Sequence, residues 1–106
     1  MSDQTPAVPV ACTLLDRELA ERLSELERDI IGQSTQQRIL ADGVELTFAT
    51  TDEIRRSIFA LIEQETACCS FLTIAVTFEP AHGPIRLAIT GPEIARSFIL
   101  ETFARR

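Results

Sequence analysis

The strongest constraint on the fold of this chain is the way its hydrophobic period changes along the sequence. Leu72, Ile74, Val76 and Phe78 alternate with Thr73, Ala75 and Thr77, a spacing of two that sends the apolar side chains to one face of a strand. After a turn containing Pro80, Gly83 and Pro84, the alternation resumes in Ile85, Leu87 and Ile89, which predicts two paired strands. Just before them, Ile54, Ile58, Leu61 and Ile62 repeat at helical spacing instead. Thr50 and Glu53 form a capping box ahead of that stripe, so the spacing predicts a helix that runs to about Cys68.

The same two periods divide the rest of the chain. From Asp16, the stripe Leu19, Leu23, Leu26 and Ile30 predicts a first helix, with Glu18 and Arg22 as an i,i+4 pair and Gly32 positioned to end it. A hairpin is expected between Gln36 and Ala49, because Asp42-Gly43 suits a type I′ turn between Ile39-Leu40 and the alternating Val44, Leu46 and Phe48. Upstream, Val8, Val10, Cys12 and Leu14 alternate as a short strand, which Pro9 limits to an edge or a strand start. Gly91-Pro92 opens a third helix with Ile94, Ala95, Phe98 and Ile99 on its inner face.

The predicted order is therefore strand, helix, two strands, helix, two strands, helix. None of the strands has the continuous apolar character of a parallel sheet buried on both sides. The expected fold is α+β: a two-layer sandwich with a mostly antiparallel sheet of about five strands and three helices on one face. The other face would carry Glu45, Thr47, Thr73, Ala75, Thr77, Arg86, Ala88 and Thr90, a surface compatible with solvent or with a dimer contact. With 106 residues, 45% of them hydrophobic, one domain is expected over 1–106, preceded by a flexible arm over 1–7.

Charge and apolar run length exclude several classes. Sixteen acidic residues against ten basic ones leave no basic surface for a nucleic-acid backbone. There is no apolar run near the ~20 residues needed to span a bilayer and no signal-peptide pattern, so a cytoplasmic location is expected, with no membrane partner. In that reducing compartment the three cysteines do not describe a disulfide framework. They are core fillers, metal ligands or redox thiols.

Advancing 100° per residue sets Glu65 at the centre of the stripe formed by Ile54, Ile58 and Leu61, with Cys68 and Cys69 one turn further on, to either side of it. A carboxylate on a core-facing stripe needs a partner. Glu65, Cys68 and Cys69 stand at i, i+3 and i+4, and Cys12, on the inward face of the first strand, could add a third sulfur. Thiols near a helix C-terminus and one turn from a carboxylate are poorly placed as nucleophiles, but that helix end favours a cation, and a metal deprotonates its thiol ligands. Such a ligand set suits soft acceptors: Zn(II), Cu(I), Hg(II) or a trivalent arsenical. The alternative is that Cys68 and Cys69 are small hydrophobes filling the space between helix and sheet. His82, the single histidine, lies in a Pro/Gly-rich turn and reads as a surface residue.

The segments Ala11-Cys12-Thr13-Leu14, Ala67-Cys68-Cys69-Ser70-Phe71-Leu72-Thr73 and Thr90-Gly91-Pro92-Glu93 resemble a family of small, largely uncharacterised bacterial domains. Similar segments occur behind the DNA-binding region of some MerR-type regulators. The family pattern of a cysteine in an A-C-T-L strand and a glutamate three residues before a C-C pair falls on Cys12, Glu65, Cys68 and Cys69. The resemblance implies an effector-like domain that binds a soft metal or a thiol-reactive species. Three functions are thus open: a non-catalytic soft-metal domain using Cys68, Cys69, Cys12 and Glu65; a dimeric or partner-binding module with buried cysteines; and an enzyme with a cysteine thiolate and Glu65 as base. The third is disfavoured because the sequence pattern positions no cation or histidine to assist the thiolate.

Overall fold

A computed structural model of the chain describes residues 16–68 and 71–105, and the side chains of residues 21–65 and 71–105. The elements are helix α1 (Asp16–Asp29), strands β1 (Gln36–Leu40) and β2 (Gly43–Phe48), helix α2 (Asp52–Cys68), strands β3 (Thr73–Phe78) and β4 (Ile85–Thr90), and helix α3 (Arg96–Phe103). The fold is α+β, and the described residues form three helices and an antiparallel four-stranded sheet in the order β1-β2-β4-β3. The strand expected over Val8–Leu14 lies outside the described residues.

The register aligns the apolar positions of neighbouring strands in rows. Val44, Ile89 and Ile74 form one row, Leu46, Leu87 and Val76 the next, and Phe48, Ile85 and Phe78 the third. These rows point at the helices. Val44, Leu46, Phe48, Ile85, Leu87 and Ile89 are fully buried, together with Leu26 of α1, Ile30 just after it, Ile58 and Leu61 of α2, and Ile99 and Phe103 of α3. Residues of opposite parity, among them Thr73, Ala75, Thr77 and Arg86, are exposed on the other face, as the alternation requires.

Four local expectations are corrected. Gly43 is not a turn residue: the hairpin turns over Ala41-Asp42, Gly43 pairs with Leu40 as the first residue of β2, and no glycine among the described residues has a positive φ. The cap of α2 is Thr51, whose hydroxyl accepts the Ile54 N–H at 3.1 Å, while the Thr50 hydroxyl donates to the Gly83 carbonyl. Helix α1 stops at Asp29, before Gly32, and a 3-10 turn over Ile31–Gln33 follows because it buries Ile31 against the core. A second 3-10 turn over Glu93–Ala95 precedes α3, and its tighter winding turns Ile94 outward, leaving it 80% exposed.

The turn between β3 and β4 carries the left-handed backbone instead. Ala81 and His82 have φ of 59° and 57°, and the Gly83 N–H donates to the Pro80 carbonyl, which makes a type I′ turn without glycine at either central position. A Cβ in this region costs roughly 1–2 kcal/mol. Ala81→Gly is accordingly expected to raise stability by about 0.5–1 kcal/mol, read from the urea midpoint, since glycine's greater freedom in the unfolded chain cancels part of the relief. An unchanged or lower midpoint would count against that account.

Candidate functional site

The helical arithmetic that set Glu65 on the inner stripe of α2 holds in three dimensions, since Glu65 is 3% exposed. A carboxylate that deep requires compensation by positive charge or hydrogen bonds. Arg22 of α1 supplies it, donating from Nε at 3.2 Å and from Nη2 at 3.0 Å to the same oxygen, Oε2. The guanidinium is itself largely buried, with 13% of its side chain exposed, and a looser contact of 3.9 Å joins its Nη1 to Glu25. The residue missing from the sequence reading was therefore Arg22. Part of its signal was present: Arg22 lies four residues before the buried Leu26, which sets it on the inner face of α1, whereas Leu23, expected on that face, is 39% exposed.

Cys68 is the last residue of α2, one turn beyond Glu65, and its backbone is helical. Its side chain, together with Cys69 and Cys12, lies outside the described residues. Glu65 is the one predicted site residue whose side chain is described, and it is engaged with a cation. Among the described residues no group of three His, Cys, Asp or Glu side chains could hold a metal ion. His82 is exposed in the β3–β4 turn, away from this site, as expected for a surface residue.

The two helices run antiparallel. Arg22 meets Glu65 near the start of α1 and the end of α2, whereas Arg28, Asp29 and Gln33 share a groove with Thr51, Glu53 and Ile54 at the opposite ends. The start of α1 is thereby set beside the end of α2, where the cysteines follow. Between Arg22 and Asp29 the helices leave a second groove of about 290 Å³, with polar walls formed by Arg22, Glu25, Asp29, Arg56, Ser57 and Gln64. On its rim, a hydrogen bond from Arg28 holds the Asp29 carboxyl below its ordinary range, and the same contact raises the Arg28 guanidinium.

No described helix is long and apolar enough to cross a membrane. Comparison with protein-family models, curated proteins and solved structures finds no match to this chain.

Proposed function

We propose that the chain is a non-catalytic domain that binds a soft metal ion, such as Zn(II) or Hg(II), or a thiol-reactive species, through Cys68 and Cys69, in a reducing, cytoplasmic setting. The observation that carries this reading is the buried Arg22–Glu65 pair one turn before Cys68. A lone carboxylate there would oppose a thiolate, but the guanidinium balances its charge. Thiolates at a helix C-terminus still need a cation, and a bound metal supplies it. Glu65, held by Arg22 through Oε2, serves as a further ligand or as the group that orients the end of the helix behind the thiolates. Cys12 is the third sulfur ligand: it lies four residues before Asp16, within about 14 Å of chain reach from the start of α1. The resemblance to domains attached to MerR-type regulators points the same way.

The test is a titration of the reduced chain with Zn(II) or Hg(II), followed by alkylation and mass measurement. One equivalent of metal is expected to slow alkylation of Cys68 and Cys69 together by at least about tenfold, since coordinated thiolates are withheld from reaction. Unchanged thiol reactivity at saturating metal would sink the reading.

A second reading, an interaction module with cysteines as core filler, draws on the exposed Thr73, Ala75 and Thr77 on the helix-free face of the sheet. It predicts that Cys68→Ser with Cys69→Ser lowers the melting temperature and changes the oligomer mass without altering any metal uptake.

A further inference from the structure

The two edges of the sheet are finished differently. Along β1, the end of the chain is tied down: Gln37 exchanges hydrogen bonds with the backbone of Arg105, Arg105 donates to the Ser34 carbonyl at 3.0 Å, and Arg96 donates to the Ala41 carbonyl at 3.0 Å. Along β3, no strand or side chain among the described residues pairs with the outer edge. Its helix-facing row is also poorly covered. Ile74 and Val76 are only half-buried, and Phe78 is 47% exposed, although the same row in β2 and β4 is fully buried.

We propose that the open edge of β3 takes up the chain's own segment Val8–Leu14 as an antiparallel fifth strand, with Cys12 opposite Ile74, Val10 opposite Val76 and Val8 opposite Phe78. Direction follows from the ends. Asp16 starts α1 beside the end of α2, and β3 begins just after that end, so the segment leading into α1 must finish near the start of β3. Register follows from reach. With Leu14 opposite Ile74, two residues, about 7 Å of chain, would have to climb between layers that lie roughly 8–10 Å apart. Cys12 opposite Ile74 leaves four residues and about 14 Å.

The hydrogen-bonding phase agrees independently. The Glu79 N–H donates to the Pro84 carbonyl on the β4 side, so by alternation Thr73, Ala75 and Thr77 turn their backbone groups toward β4. Those of Ile74, Val76 and Phe78 face the open edge. In the incoming segment Pro9 has no N–H and belongs on the outside, which turns the backbone groups of Val8, Val10 and Cys12 inward. The same three residues carry the apolar side chains that the half-covered row lacks.

The consequence for Cys12 is a matter of level. Phe59 of α2 stacks against Phe78 of β3 with ring centroids 6.1 Å apart, which aligns these elements. Nine helical residues carry the chain about 13.5 Å from Phe59 to Cys68, and four strand residues cover about 13 Å from Phe78 back to Ile74. Cys68 and Ile74 share a level, and docking brings Cys12 to it. This sulfur juxtaposition rests on the proposed cysteine site; the docking itself does not.

Amide hydrogen exchange on the full, metal-free chain tests the docking. The Ile74, Val76 and Phe78 amides are expected to exchange slowly, and Val10→Pro to speed them by about tenfold or more while Ala11→Pro, on the outward phase, leaves them slow. Free exchange of these amides in the parent chain, equal effects of the two prolines, or protection that grows with protein concentration, as pairing with a second copy would give, each overturns it. Should Val10→Pro also release the Leu46 and Leu87 amides, a cross-link decides. In a chain carrying Cys68→Ser and Cys69→Ser, Ile74→Cys is expected to form an intramolecular disulfide with Cys12, and Ala75→Cys, on the other face, to form none. The reverse pattern overturns the register. Failure of metal to protect thiols in the titration above would leave these readouts unchanged.

Discussion

Arg22→Met is expected to destabilise the domain by about 3–5 kcal/mol, the cost of taking the cation away from a buried carboxylate. Glu65 is 3% exposed on the inner face of α2, so its charge stays buried when the guanidinium is removed. The two variants should not behave alike. Glu65→Leu alone is expected to cost less, because Arg22 is longer, retains some exposure and has Glu25 within 3.9 Å. The double variant Arg22→Met with Glu65→Leu should recover most of the loss, as replacing a buried ion pair by apolar side chains of similar size is often near neutral. Urea unfolding of all four proteins closes the cycle. Additive costs, with no recovery in the double variant, would show that the two side chains act separately.

Gly43→Ala is expected to cost about 3 kcal/mol or more, a large effect for one methyl group on a strand. A Cβ built on Gly43 would sit 1.9 Å from the Ile89 carbonyl oxygen and 2.8 Å from the Thr90 Cα. Both are backbone atoms of β4, the strand that Gly43 pairs with, so no side-chain rotation relieves the clash and the two central strands must part locally. Because Gly43 has no positive φ, the effect comes from close approach and not from turn conformation. An unfolding free energy from urea titration within about 0.5 kcal/mol of the parent would refute this account. Asp42→Ala, in the turn itself, is the control and should change little.

Much of the fold was legible because period and burial coincide. The residues at alternate spacing in β2 and β4 and the stripe of α2 are the ones that form the core. Readings failed where a backbone, not a side chain, made the decision. Asp42-Gly43 carries the composition of a type I′ turn, yet the left-handed turn occurs at Ala81-His82, where the alternating strands enforce it against local preference. Ile94 fits the stripe of a continuous helix but not that of a 3-10 turn. Phe103 was missed because it lies one turn past the residues used to recognise α3. At the site, helical spacing correctly buried Glu65. Its partner was only half legible: spacing sets Arg22 on the inner face of α1, but that it meets Glu65, 43 residues away on another helix, is decided by packing.

The strand order also bears on how the chain folds. Each hairpin, β1 with β2 and β3 with β4, closes between neighbours in sequence, whereas the sheet becomes one body only when β2 meets β4 across the whole of α2. That seam carries the loop-closure entropy, and helix and seam must form together for either to bury its apolar side. Truncations at Leu46 or Leu87 should therefore slow folding, while truncations in the outer strands should chiefly hasten unfolding.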